Sequence, residues 1–211
     1  MKRKYYRNIE SVIKKFLYIY KNTKNKNLQA ATSSAIYKVF NNKNDYLLKN
    51  NKHENLIVYT NEHISKEIFI KGNFEFDKLI KTIKILGSKH RKTTLVDVGA
   101  NIGSISIPAL TRSYFSNAIL FEPEIRNYRI LKANIYLNKL ENKMQSNNIA
   151  LSSRKGEKLR LFKNEFNRGD NRILNKKNYL KRKTQIVNTD ILDNYTKKLN
   201  RNNSLIWIDA Q

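Results

Sequence analysis

Two short segments carry the residue types for small-molecule chemistry. The first is Val96-Asp97-Val98-Gly99-Ala100-Asn101-Ile102-Gly103, which follows a β-branched run and opens a helical pattern. Gly99 lets the backbone turn tightly and lets a ligand approach with no Cβ in the way. Gly103 permits close packing of helix on strand, and the free N–H groups of the first helical turn face whatever binds there. The second is Phe121-Glu122-Pro123, which ends the next apolar run, with Glu122 19 positions past Gly103. A carboxylate at that place can accept two hydrogen bonds from a ribose diol, and Pro123 ends the strand and fixes its direction. In open α/β sheets, ligands bind at the carboxyl ends of the strands. Asn101 stands where a dinucleotide fingerprint has its second glycine, so the segment disfavours NAD.

The remaining composition mostly excludes. There is no cysteine, hence no disulfide framework, thiolate metal site or thiol nucleophile. His53, His63 and His90 lack ligand spacing, so no metal is expected. No Gly-x-Ser-x-Gly elbow appears. Apolar runs fall short of the ~20 residues that span a bilayer, and no secretory signal is present. With 42 Lys+Arg against 17 Asp+Glu the net charge is +25. That charge suits an anionic partner. The matching excess of Asn, Ile and Tyr is also what A/T-rich coding produces throughout a chain.

These motifs need elements to hold them. At 211 residues the chain is roughly one domain with an extension. Residues 1–28 are strongly basic, and Ile9, Val12, Ile13, Phe16, Leu17 and Tyr20 recur on one helix face, a pattern that can lie on a membrane or nucleic-acid surface or pack on the domain. Segments 21–27 and 41–55 read as exposed connections, which sets an N-terminal extension over 1–55 and a main domain over 56–211. Within the latter, strands are predicted at 56–59, 93–98, 118–121, 148–151, 155–163, 185–187 and 205–208. Helices are predicted over 74–86, 103–112, 125–140 and 190–199, and 164–178 reads as a loop. Apolar strands alternating with helices predict a parallel α/β sheet.

In order along the chain, Asp97 to Gly103, Phe121-Glu122-Pro123, Asn148-Ile149-Ala150-Leu151-Ser152 with Gly156, and Thr189 to Asp193 leading to Leu205-Ile206-Trp207-Ile208-Asp209-Ala210-Gln211 resemble the FkbM-type methyltransferases. That resemblance implies a Rossmann-like class I methyltransferase sheet and S-adenosyl-L-methionine as cofactor. It places Asp97 and Gly99 near the methionine portion with Asn101, Ile102 and Gly103 in the same loop, Glu122 on the ribose, and Ile149 and Ala150 beside the adenine. It makes Asp209 the catalytic residue that orients or deprotonates an acceptor hydroxyl. The acceptor it implies is a small molecule or glycan, with O-methylation of a sugar, glycolipid or secondary metabolite. The enzyme is expected to be cytoplasmic, with peripheral membrane contact through residues 1–28.

Relative to that family the C-terminal strands are missing, since the chain stops inside the fourth motif, and a partial, weakly folded or inactive chain is expected. Two other readings stay open. One is an RNA or DNA methyltransferase that uses the basic surface; the Asn/Asp-Pro-Pro-aromatic motif of amino-group methylation is absent after Ile208, although a ribose methyltransferase does not need it. The other is a non-catalytic basic module for membrane or nucleic acid.

Overall fold

The computed structural model describes residues 15–16, 18–20, 22–39, 46–60, 62–87, 94–162, 172–173, 184–197, 199 and 203–210. Most of the expected basic helix face lies outside them, as do His90 and Gln211. Of that face Phe16 and Tyr20 are described, and both are helical.

The core is a four-stranded parallel sheet of β3 (Thr94–Val98), β4 (Asn117–Phe121), β5 (Met144–Asn147) and β10 (Ser204–Ile208), in the spatial order β10-β3-β4-β5. This is a mixed α/β fold with a parallel, Rossmann-like core, as the alternation of apolar strands and helices predicts. Alternation along β3 divides the interior. Leu95 joins Leu120, Ile107 and Leu131 beneath helices α4 (Ser106–Thr111) and α5 (Ile125–Leu137), while Val96 and Val98 join Ile119 and Phe121 on the opposite face. Leu192, Tyr195 and Leu199 cover that second face, with the Tyr195 ring edge-on to Phe121 at 5.0 Å.

A second sheet has the order β6-β9-β7-β8, from β6 (Ala150–Leu151), β7 (Lys158–Phe162), β8 (Arg172–Ile173) and β9 (Thr184–Asp190). It is parallel between β6 and β9 and antiparallel elsewhere. Here the sequence reading needs correcting. The strand expected at 148–151 is two elements: the core strand is the more polar Met144–Asn147, and only Ala150–Leu151 of the expected span is strand, in the other sheet. The helix expected over 190–199 is a single turn, α6 (Asp193–Thr196), and that over 103–112 is only 106–111.

Ahead of the core, α1 (Lys26–Val39) packs on α2 (His63–Lys71), and the Tyr37 hydroxyl donates to the Tyr59 carbonyl at 2.8 Å. Segment 41–55 is not simply a connection. β1 (Tyr46–Asn50) pairs antiparallel with β2 (Asn55–Tyr59) from Tyr46↔Tyr59 to Asn50↔Asn55, so the hairpin crosses the boundary drawn at residue 55. At its tip the buried Glu54 carboxylate takes both Arg112 nitrogens, at 2.7 and 3.1 Å, fastening the hairpin to the end of α4. Helix α3 (Phe76–Leu86) follows and ends at Gly87 with a positive φ of 83°, as its periodicity predicts.

Candidate functional site

At the carboxyl ends of β3 and β4 the chain makes a turn rich in left-handed residues: Gly99 at φ 90°, Asn101 at 50° and Gly103 at 88°. The Gly99 and Ala100 N–H groups both donate to the Phe121 carbonyl, at 2.9 and 3.0 Å, so the turn is stitched to the exit of β4. The Asp209 N–H continues the β10–β3 pairing by donating to the Val98 carbonyl at 2.9 Å. That brings the Asp209 backbone over Gly99. A Cβ on Gly99 would lie 2.1 Å from the Asp209 carbonyl oxygen.

Gly103 serves packing instead. A Cβ there would meet Ile107 Cδ1 at 2.6 Å and Leu131 Cδ1 at 2.9 Å, both ends of flexible side chains. Gly103→Ala is therefore expected to lose about 2 kcal/mol of stability in urea unfolding, from positive-φ strain and overpacking. Ligand affinity at the turn should change only severalfold. A loss above about 5 kcal/mol would mean that the side chains cannot yield.

Glu122 is 5% exposed. Its Oε2 accepts the Asn101 N–H at 2.8 Å and its Oε1 the Glu124 N–H at 2.8 Å, so one carboxylate links the turn to the start of α5. Burial pushes its pKa from 4.5 up to about 8, against the pull of those two N–H groups and Asn127, with the Glu124 charge adding to the rise. The Asn148 amide donates to the Glu122 and Pro123 carbonyls at 2.8 and 3.0 Å, and Gln185 Nε2 reaches Pro123 at 3.2 Å from β9. Sequence reasoning did not single out the amides of Asn148 and Gln185 as supports. An Asn or Gln in so Asn-rich a chain gives no signal.

Asp97 points from β3 toward α4. It is 2% exposed, and its Oδ2 has no hydrogen-bond partner. Burial raises its pKa from 3.8 to about 7; the Ser106 hydroxyl opposes the rise and the Asp209 charge adds to it.

Between these elements lies a crevice of about 670 Å³, counting the space open at its mouth. Six of the nine expected site residues line it: Gly99, Asn101, Glu122, Ile149, Ala150 and Asp209. Asp97, Ile102 and Gly103 do not. Ile102 is 1% exposed in the core, Gly103 lies against Ile107 and Leu131, and Asp97 is buried beside Ser106. The sequence reading missed the opposite wall, where Leu161 and Ile173 come from the second sheet. Alternation in Lys158–Phe162 could have marked Leu161 as inward. Nothing in the sequence marks Ile173.

The residues fit a nucleoside-bearing cofactor. An acceptor carboxylate sits beside a left-handed turn, and the apolar side chains Ile149, Leu151, Leu161 and Ile173 offer a slot for a planar base. Among the described residues no group of three or more His, Cys, Asp or Glu could hold a metal ion, and no helix is long and apolar enough to cross a membrane.

No family model and no curated protein matches the chain. Solved structures do. P. horikoshii TYW2 in complex with MeSAdo is 17% identical, with a TM-score of 0.40, over 61% of this chain and 50% of that one. The M. jannaschii tRNA m1G37 methyltransferase is 17% identical, with a TM-score of 0.36, over 52% and 35%. M. capricolum TrmK in complex with S-adenosyl-homocysteine is 15% identical, with a TM-score of 0.31, over 36% and 30%. The chain thus spans about a third to a half of the length of these structures. The resemblance to the FkbM-type family is corrected by these findings: no family model supports it, and none of these three structures is named for that family. The small-molecule or glycan acceptor that the family implies falls with it, and the membrane contact read from the basic residues 1–28 is not supported either.

Proposed function

We propose that the crevice binds S-adenosylmethionine and that the chain serves a methyltransferase acting on RNA. The observation that carries the reading is the placement of Glu122 and the turn at Gly99–Gly103 at the carboxyl ends of adjacent parallel strands. When bound, the cofactor supplies an electrophilic methyl on its sulfonium. Glu122 has lone pairs left beyond the two N–H groups it accepts, and these would take the ribose hydroxyls. The walls of Ile149, Ala150, Leu161 and Ile173 exclude water from the base. Asp209, exposed at the end of β10 with its N–H donating to the Val98 carbonyl, would orient an acceptor hydroxyl or take its proton.

The surface supports the choice of RNA. Arg112 is bound to Glu54 and Arg154 to Glu157, whereas Arg126 and Arg129, a turn apart on the exposed face of α5, have no acidic partner among the described residues. Further along, Lys132 Nζ lies 5.4 Å from the ring of Tyr136, which is 57% exposed. Cations interleaved with an aromatic ring suit phosphates and an unstacked base. α5 begins directly after the crevice residues Glu122 and Pro123. tRNA, named for the M. jannaschii protein, is the first RNA to try.

Two measurements test the reading. Calorimetry should find one S-adenosylhomocysteine site, and its absence overturns the cofactor assignment. Filter binding of tRNA across salt should give a steep slope. That slope should fall by about 0.7 for each phosphate that the double variant Arg126→Ala/Arg129→Ala no longer neutralises. If Lys81→Ala/Lys84→Ala on α3 lowers the slope equally, binding is only general attraction to a +25 chain.

A further inference from the structure

The free edge of β2 is closed by side chains. Asn138 Oδ1 accepts the Asn55 N–H at 2.9 Å, and its Nδ2 donates to the Asn55 carbonyl at 2.7 Å. One turn earlier on α5, Asn134 Oδ1 accepts the Ile57 N–H at 2.7 Å and its Nδ2 donates to the Ile57 carbonyl at 3.1 Å. The Ser65 hydroxyl takes the Tyr59 N–H at 3.1 Å. Each asparagine amide pairs with one strand residue as a neighbouring strand would, which removes an edge that could pair elsewhere.

The second amide hydrogen of Asn138 goes to the Asn134 backbone carbonyl on its own helix, with Nδ2 to oxygen at 2.7 Å, whereas Asn134 reaches a third element. Its second amide hydrogen goes to the Ile102 carbonyl, with Nδ2 to oxygen at 2.9 Å, and the residue is fully buried. One side chain therefore holds both the N-terminal hairpin and the turn at Gly99–Gly103. That turn contains three left-handed residues in five, a conformation that surrounding contacts must hold. Two side chains from outside hold its backbone on opposite sides: Glu122 accepts the Asn101 N–H at the crevice, and Asn134 donates to the Ile102 carbonyl from behind. Releasing the hairpin frees two of the three hydrogen bonds that orient the Asn134 amide, so the turn loses its rear support. Fixing the turn from the crevice side fixes the same amide for the hairpin.

We infer that Asn134 is a positioning residue that couples the β1–β2 hairpin to the cofactor turn, making the hairpin part of the cofactor-binding machinery rather than an appendage to it. The coupling rests on the proposed cofactor site only for its functional consequence. The linkage itself is independent of any ligand. Thermodynamic reciprocity then requires that a ligand which orders the turn also protects the hairpin.

Hydrogen exchange on the full chain tests both parts. Without ligand, Asn134→Ala should accelerate exchange at least tenfold in peptides covering both 55–59 and 99–105. Asn138→Ala, which removes the bonds to Asn55 and the side-chain bond to the Asn134 backbone carbonyl but leaves the Asn134 side-chain bond to Ile102 in place, should accelerate only 55–59. If Asn134→Ala leaves 99–105 protected, or Asn138→Ala loosens it equally, the coupling is refuted, and the second variant separates a specific link from general loss of stability. With S-adenosylhomocysteine, the parent should gain protection at 55–59, which do not line the crevice, and Asn134→Ala should bind at least tenfold more weakly while Asn138→Ala stays within twofold. Binding with no change at 55–59 overturns the coupling. If the parent binds no S-adenosylhomocysteine, the proposed function fails, and the ligand-free exchange still decides the role of Asn134.

Discussion

Gly99→Ala is expected to abolish cofactor binding and to cost roughly 3 kcal/mol or more of stability, the sum of positive-φ strain and a clash that no rotamer relieves. The added Cβ would stand 2.1 Å from the Asp209 carbonyl oxygen and 2.9 Å from its carbonyl carbon. Both are backbone atoms, held because the Asp209 N–H donates to Val98. Relief requires either peeling the end of β10 from β3 or moving the turn away from Phe121, which breaks the bonds from the Gly99 and Ala100 N–H groups. Either movement displaces the crevice wall that Gly99, Asn101 and Asp209 share. Urea unfolding and calorimetry with S-adenosylhomocysteine report the two effects separately. A variant that keeps its affinity, or loses less than about 1 kcal/mol, would show that the end of β10 yields freely, and the close approach would then have no role in the site. The contrast with Gly103 is informative, because there the obstructing atoms are the tips of Ile107 and Leu131 and can swing aside.

Apolar strands are legible in the sequence and polar ones are obscure. β3 and β4 are short apolar runs, and burial on both faces of a parallel sheet demands that texture; β10 reads as a strand by the same texture, although it lies at the sheet edge with Ile206 and Ile208 exposed. β5 escapes a pattern reading because only Met144 of Met-Gln-Ser-Asn is buried; its polar residues lie at a sheet edge, while the more apolar Ile149-Ala150-Leu151 beside it belongs to the crevice wall and the second sheet. β1 is invisible because Tyr46-Leu47-Leu48 sits in Asn/Lys-rich surroundings and draws its strand geometry from pairing with β2, a non-local cause. The site divides the same way. Gly99, Asn101 and Glu122 are readable because a tight turn and a strand-end carboxylate constrain residue type locally. Asn134 is not. Its role depends on a hairpin 77 positions away in sequence, and an asparagine on a helix in this chain looks like any other.

Cofactor affinity is expected to rise with pH and level off above about 8, with proton release on binding, and Glu122 is the reason. In the ligand-free fold, burial holds its pKa at about 8, so the carboxyl is largely protonated at neutral pH. Ribose hydroxyls donate best to the ionised form, so binding lowers that pKa and expels a proton. The stability of the ligand-free chain runs the other way. A carboxyl raised from 4.5 to about 8 contributes stability that is fully present below 4.5 and lost as pH climbs through 8, and Asp97, raised from 3.8 to about 7, does the same over a lower window. Each group tilts the profile by up to about 1.4 kcal/mol per pH unit within its window. The fold should therefore weaken from pH 5 to 8 while its ligand affinity grows. Glu122→Gln separates the two. Its amide cannot accept through the nitrogen, so either the Asn101 or the Glu124 N–H loses its partner, at a cost of about 1–3 kcal/mol. Affinity should fall tenfold or more and lose its pH dependence, and the heat of binding at pH 7 should no longer change with the ionisation enthalpy of the buffer. An affinity flat from pH 6 to 9 in the parent, or a Gln variant that still releases a proton, would remove Glu122 from the ribose. The carboxylate would then be only the structural link between the turn and α5.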